Sequence, residues 1–525
     1  MRPFHVRLRR AFRLAALEML GARSAYDAAD MNRILADWIA SCRSPDQEIR
    51  GNVRRLRARA RELARNNSYV KRYFRLLTNN VIGPMGIKLQ AQVRKSDRQL
   101  DETTNTAIEE AWREWASHPV TVDGRTGLRE FEKLLLKTWA CDGEIFVRLW
   151  RGYEGNPFGL ALQPIDADLI DVTYNRGASP SSNEIRMGVE VDKIGRPVGY
   201  WVWNMTQSAG IDVYRERYFV PADEMIHIYS QDRVNQTRGV TWIHAAMGPA
   251  HMLNAYEESE AIASRVAAAK MGFIEKKGDG FGAGGASGKK NLKMEASPGA
   301  ITRLDEGWGF TGWSPDHPTG QFPAFVKQML RKVSSGLSVF YNVLANDAEQ
   351  VTYSTMRSFA LIERDDWQSL QQDFIDMWRR PLYDAWLRMA LLTGRLKLAS
   401  KNPGRYMAVR HRPRGWPWID PQKETKAAVM AIENGLGTRT SFLAEKGEDV
   451  EEVFRELKRE LELAAELGLT IDGGAADDDR LTKEEWEEQQ AEETETSGGN
   501  GDGRELAERP QRPTSSSPRQ QSPAN

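Results

Sequence analysis

Cysteine is almost missing from this chain: Cys42 and Cys141 are the only two among 525 residues. Two thiols exclude a disulfide framework and fit a reducing cytosol. Histidine is scarce too, with seven residues scattered at 5, 118, 227, 244, 251, 317 and 411. None sits at metal-ligand spacing with cysteine or carboxylates, and HExxH is absent. His244 and His251 fall two turns apart on one expected helix and read as packing or surface residues. No window approaches the ~18 uninterrupted apolar residues of a membrane span. Arg7, Arg9, Arg10 and Arg13 break any apolar core of a secretory signal. No serine occupies a G-x-S-x-G elbow. The glycine-rich run Ala283–Lys290 has alanine where a phosphate loop needs its first glycine, and Lys290 where Ser or Thr holds Mg²⁺. Adjacent carboxylates such as Asp365-Asp366 and Glu257-Glu258 diverge on a helix, as solvated faces or intersubunit ion pairs do. Together these gaps point to a soluble protein made and used inside a cell, with no catalysis, metal or cofactor of its own.

What is present is charge of both signs, unevenly placed. Lys+Arg and Asp+Glu each total 73, for a net charge of zero. Residues 1–75 nevertheless hold 18 basic and 7 acidic side chains, whereas 440–509 hold 8 and 23. A basic head and an acidic tail are therefore concealed in the balance. Hydrophobic content of 40% with 16 tryptophans is enough for a sizeable core, and the length suggests about three parts at ~100–200 residues per domain.

Residues 1–24 pattern as a basic amphipathic helix, Phe4, Leu8, Phe12, Ala15 and Met19 opposite the arginines. Residues 46–82 are a second arginine-dense helical region. Leu56, Leu63, Val70, Phe74 and Leu77 form its core stripe, and the arginines read as a solvated or salt-bridged face. Pro84 and Gly86 stop it, a strand-like 87–93 follows, and helices are expected over 99–117 and 128–141. From residue 144 the period becomes two: strands at 145–150 and 161–165, a hairpin 189–191/198–203 turning at Gly195, and strands at 219–221 and 225–229. Helices before and after strands, without a βαβ rhythm, define an α+β chain.

The segment from Trp242 to Arg380 organises the rest. A helix over 252–270 leads into the glycine-rich excursion 278–290 and a strand-like 300–304. A second helix spans Phe322 to Val343, and a polar bend 346–354 joins it to a third helix over 356–380. That helix is roughly 37 Å long at 1.5 Å per residue. Phe359, Ile362, Trp367, Leu370, Phe374 and Met377 make its buried stripe, and Pro381 is expected to kink or end it. Helices at 424–433 and 449–467 precede a Gly-, Ser-, Pro- and acid-rich tail, expected to be disordered.

Several stretches resemble the lambda family of portal proteins of tailed bacteriophages. They are Arg61–Asn67 with Asn79–Gly83, Asp142-Gly143-Glu144 through Leu149, Ile165–Asp168, Gly188–Asp192 with Gly195–Pro197, and Val220–His227. Gln236–Val240, Tyr353–Arg357 and Trp418–Glu424 complete the set, and the likeness covers about residues 25–470. It implies a structural ring, typically of twelve subunits, at one capsid vertex. A terminase motor pumps double-stranded DNA through such a ring, and the tail later attaches there. Its implied partners are its own copies, the terminase large subunit, major capsid and scaffold proteins, and head-completion or tail connector proteins, with no membrane. Its implied places are the virion, and the host cytoplasm during assembly.

Laid on this chain, the resemblance implies an α/β wing at 25–240, a first stem helix at 241–272, a clip at 273–321 and a second stem helix at 322–343. A tunnel loop at 344–354, a long helix at 355–395, a helical crown at 396–470 and a tail at 471–525 follow. Asn346, Asp347, Glu349, Gln350, Thr352 and Tyr353 would face DNA. Their segment contains no Lys or Arg, which suits transit, because each neutralised phosphate adds salt-dependent affinity. Lys270, Lys276, Lys277, Lys289 and Lys290 cluster at the clip edge, placed for an acidic partner or DNA. The rival expectation is a DNA-binding scaffold or connector that acts through its arginine-rich N-terminal 75 residues without forming a channel.

Overall fold

The computed structural model describes residues 42–95, 99–208, 211–268, 272–276, 308–312, 320–349, 351–417, 421–448 and 450–467. Ser44 starts the first helix, α1 (Pro45–Asn66), through a reciprocal capping box with Gln47, and Pro45 occupies the first turn, where its missing N–H costs nothing. The single arginine-rich helix expected over 46–82 is in fact two. Asn67 closes α1 by donating its N–H to Leu63 and opens α2 (Ser68–Val81) by accepting from the Val70 N–H at 3.0 Å.

Strand β1 (Lys88–Ala91) is followed by α3 (Glu102–Ser117), capped by Asp101, and α4 (Leu128–Asp142). Then come β2 (Glu144–Arg151), β3 (Leu160–Ile165), β4 (Glu184–Arg186), β5 (Val189–Val191), β6 (Pro197–Ser208), β7 (Ile211–Pro221) and β8 (Met225–Tyr229). All pairings are antiparallel, in a three-stranded sheet ordered β3-β2-β8 and a four-stranded sheet ordered β4-β5-β6-β7. The hairpin at Gly195 forms as its glycine suggests, with φ +86°.

Helix α5 (His244–Ala268) begins about two turns before the expected residue 252 and carries Pro249 inside it. Strands β9 (Gly272–Lys276) and β10 (Trp308–Gly312) pair with each other; the expected strand at 300–304 lies outside the described residues. The helix expected from Phe322 to Val343 stops early, as α6 (Phe322–Gly336). Ser334, Ser335 and Gly336 are weak helix formers. Ser338 takes φ +52°, and the Val339 N–H reaches back to the Ser334 carbonyl at 3.1 Å, a Schellman ending. A short α7 (Tyr341–Ala345) follows, then α8 (Tyr353–Phe374).

Pro381 does not end the long helix. One π-turn, Ile375–Arg379, absorbs the lost hydrogen bond, and the helix continues as α9 (Arg380–Leu392). The expected stripe is buried only in the second half of α8: Trp367 and Phe374 are inside, while Ile362 is 60% exposed. Strand β11 (Val409–Arg412) pairs with β1 across more than 300 residues. Helices α10 (Pro421–Glu433), α11 (Arg439–Glu445) and α12 (Val450–Glu466) end the described chain. Two compact units result, Met1–Val450 and Glu451–Asn525, divided within the stretch expected to be one crown. Among the described residues no helix is long and apolar enough to cross a membrane.

The main core joins α2, α3, α4, β2, β3 and α9. Trp112 meets Trp115 at 5.2 Å and Trp386 edge-on at 5.0 Å, and Trp386 also faces Tyr383 and Phe158. Glu132 of α4 is fully buried in it, paired with Arg379 at 2.5 Å and accepting from the Trp378 indole at 2.9 Å. A glycine-to-glycine approach sets the end of α4. Gly143 has φ +89°, and a Cβ there would stand 2.2 Å from the Val240 carbonyl carbon, while one on Gly239 would stand 2.0 Å from the Gly143 oxygen. Gly143→Ala therefore meets both a backbone clash and a left-handed cost of ~1–2 kcal/mol. It should lower Tm by several degrees, measurable by calorimetry, whereas Gly152→Ala, with open space at its Cβ, carries only the conformational term.

Candidate functional site

Two places combine charge with defined geometry. The first is buried. Glu144, the first residue of β2, is fully enclosed and takes Arg57 from α1 and Arg238 from the chain before α5. Arg238 approaches at 2.5 Å, and the Gly239 N–H donates to the same carboxylate at 3.0 Å. A carboxylate only accepts, so the 3.0 Å contact with His227 Nε2 makes that nitrogen the protonated one. Around this centre Arg61 forks onto Asp142 at 2.7 and 2.9 Å and reaches Asp168 and Asp166. Arg57 also donates to the Asp142 and Ala167 carbonyls, and Arg238 to those of Met187, Ile170 and Ala167.

Burial alone would push the Glu144 carboxyl up, but Arg238, Arg57 and the His227 hydrogen bond outweigh it and hold it well below the usual range. Burial dominates at His227 and lowers its pKa, so the imidazole is neutral at pH 7. A cavity of about 450 Å³ opens at the edge of the site, lined by Arg61 and Asp168 together with Arg54, Asp171 and Trp203. Burial pushes the nearby Cys141 thiol up to about 12, and among the described residues no cluster of three or more His, Cys, Asp or Glu is placed to hold a metal ion. Its chemistry is that of a brace tying α1, α4, β2, β8 and the lead-in to α5 together.

Sequence reading missed this centre. Arg57 and Arg61 read as a solvated or salt-bridged face, and His227 as one scattered histidine. The only signal was indirect: Arg61, Asp142–Glu144, Asp166–Asp168, His227 and Arg238-Gly239 all lie in the stretches that carried the family resemblance, and the fold brings them to one point.

The second place is the polar bend. Asn346 closes α7 in the left-handed conformation, φ +53°, and Thr352 caps α8 by accepting from the Thr355 N–H at 3.3 Å. Asn346, Glu349, Thr352 and Tyr353 are exposed, Tyr353 as the first residue of α8; Gln350 lies outside the described residues. Asp347 differs. It accepts from Tyr341 Oη at 2.7 Å and from the Glu349 N–H at 2.9 Å, and pairs with Lys327 of α6 at 3.2 Å. The bend has no cation of its own in sequence, yet the fold lays two beside it. Lys327 and Arg331 sit over the Tyr341 ring at 5.8 and 5.7 Å. Of the lysines expected at the clip edge, Lys276 ends β9, paired with Trp308. Lys270, Lys277, Lys289 and Lys290 lie outside the described residues.

The first place is an internal ionic brace, and the second is an exposed polar link between two helices. The profile described as "Phage portal protein, lambda family" matches residues 31–371. A "Probable portal protein" of Halomonas phage phiHAP-1 is 31% identical over 461 residues, covering 86% of this chain and 89% of that protein. "Portal protein B" of Escherichia phage lambda is 23% identical, over 81% of this chain and 87% of its own. The neck of an empty gene transfer agent particle aligns with a TM-score of 0.40 at 14% identity, over 79% of this chain and 98% of that one. The chain belongs to the lambda family of phage portal proteins, a structural and not an enzymatic family. Its role is that of a portal or connector.

Acid should probe the brace in two stages. The lowered His227 pKa means the unfolded chain binds a proton first, so stability falls as pH drops below about 6.5. Glu144, depressed, stabilises above its unfolded value of about 4.3, and that contribution is lost below it. Burial also lowers the His411 pKa, to about 3, so that residue loses stability over the same range. His227→Gln should shrink the first stage of a Tm-versus-pH curve, His227→Gln with His411→Gln should shrink it further, and both should leave the second. Glu144→Ala strands the buried Arg238 and leaves Arg57 only Asp168, and should cost ~3–5 kcal/mol in denaturant titration at pH 7.

Proposed function

We propose that this chain assembles into a closed homo-oligomeric ring, a dodecamer, at one capsid vertex. The terminase large subunit packages double-stranded DNA through it, and it then retains DNA, passes it at ejection and carries the tail connector. Scaffold and major capsid proteins surround it during assembly in the host cytoplasm. Family membership supports the portal role. One observation supports the channel reading in particular: the segment 346–353 has no Lys or Arg, its Asn346, Glu349, Thr352 and Tyr353 are exposed, and helices hold both its ends. DNA passing such a surface finds little to hold it, since binding grows with each phosphate neutralised. In this reading α5 and α6, packed through Tyr256 on Phe322 and Phe325, are the stem. Residues 273–321 are the clip and 25–240 the wing. A ring needs a heterologous contact whose rotation closes, and paired long helices offer that contact a large surface.

The rival scaffold reading is disfavoured by one observation. Arg57 and Arg61 are engaged by internal carboxylates, which takes two arginines from that reading, while Arg50, Arg55, Arg59 and Arg65 stay exposed. Native mass measurement of the purified protein should give a ring of ten or more copies; a stable monomer or dimer under assembly conditions overturns the channel. Glu349→Lys changes the charge of the bend without touching the Asp347 side-chain contacts. It should leave ring mass unaltered and reduce the length of DNA retained in particles several-fold, read on a sizing gel; full-length DNA at normal titre removes the bend from the DNA path.

A further inference from the structure

The bend is held by one carboxylate, and the groups that hold it are those that bind phosphate. Asp347 takes an ammonium from Lys327 at 3.2 Å, a hydroxyl from Tyr341 at 2.7 Å and a backbone N–H from Glu349 at 2.9 Å. Its backbone is fastened separately, by Asn342 Nδ2 to the Asp347 carbonyl at 2.8 Å and by the Asp347 N–H to the Asn342 carbonyl at 3.1 Å. Arg331, one helical turn beyond Lys327, lies over the same tyrosine ring and has no acidic partner among the described residues. A cavity of about 440 Å³ opens beside them, lined by Lys327, Arg331, Tyr341, Asn342, Glu349 and Val351. Two cations, a hydroxyl and an amide around a cavity form a donor set suited to an oxyanion. The Tyr341 hydrogen bond, the Glu349 N–H and Lys327 hold the Asp347 carboxyl below its ordinary range, so it stays ionised while it takes those three donors and leaves Arg331 over the tyrosine ring.

We propose that Lys327, Arg331 and Tyr341 form a binding site for a DNA backbone phosphate, which Asp347 occupies as an internal stand-in, so that DNA is gripped only when the bend is displaced. The site rests on the reading that 346–353 faces DNA and deepens it. With the bend in place, Asp347 and Glu349 balance Lys327 and Arg331, and a passing duplex meets no net positive charge. With Asp347 withdrawn, each subunit presents cations to the phosphates. Intramolecular exchange of carboxylate for phosphate thus switches one surface between sliding and holding. The trigger is movement of the bend, not a change of sequence or a bound cofactor.

The test uses the full-length ring and two probes, a 30-base-pair duplex and pyrophosphate. Asp347→Asn keeps the size and one acceptor oxygen but removes the charge; Asp347→Ser serves as a second variant, and ring mass reports assembly of each. Anisotropy of the labelled duplex across a salt series should show a steeper slope in both variants, by about 0.9 in log K against log[salt] for each phosphate newly engaged. Adding Lys327→Met and Arg331→Met in the Asp347→Asn background should return the slope to that of the parent. Calorimetry should show pyrophosphate binding to Asp347→Asn and its loss on the same two additions. An unchanged slope with no pyrophosphate binding in either assembled variant overturns the site. Pyrophosphate binding with an unchanged duplex slope overturns DNA as the ligand, and with it the placement of the bend beside DNA.

Discussion

The packing of helices α1 and α4 on the β2 sheet depends on one carboxylate between two guanidiniums. Glu144 sits where α4 turns into β2, and it has no water to fall back on. An unpaired charge in that position is costly, and a paired one is tolerable only with near-complete hydrogen bonding. Arg57 and Arg238 meet that demand, along with His227 and the Gly239 N–H. Because Arg57 rides on α1 and Arg238 on the approach to α5, satisfying the charge also fixes two elements far apart in sequence. Gly143 and Gly239 make the geometry possible, since any Cβ at either would hold the two backbones apart.

A second constraint comes from interrupted helices. Asn67 breaks the arginine-rich helix and lets α1 turn Arg57 and Arg61 inward while α2 packs on α4 and α8. The Schellman ending at Ser338 turns the chain out of α6 into α7 and so creates the bend. The π-turn at 375–379 allows a long helix to pass Pro381 and place Trp386 against Trp112. Each interruption is a local backbone event with a long-range consequence. The bend inherits its position from all three, being strung between a short helix tied to α2 through Arg72 and the Val343 carbonyl at 2.8 Å and a long helix anchored in the core.

Periodicity made most elements legible: α4, the β2–β3 pair, the Gly195 hairpin, β8 and the start of α8 lie within a few residues of expectation. What periodicity missed were the interruptions, because a polar residue inside a helical pattern reads as a solvated position and not as a stop. Asn67 does both. The exposed first half of α8 was misread for a related reason. Ile362 fits an apolar stripe in one dimension, but among the described residues no element lies over it. The β1–β11 pairing gave no sign at all, since cross-strand partners leave no mark in either local sequence.

By itself the sequence determined the α+β character, the order of elements, the family and the absence of cationic side chains in the bend, all properties of local composition and spacing. Only the tertiary structure decided which charges are spent internally, that Asp347 is clasped by Lys327 and Tyr341, and that Arg57, Glu144 and Arg238 meet. Charge pairing depends on distance through space, and a chain's linear order does not carry that distance until burial and hydrogen bonding have closed it.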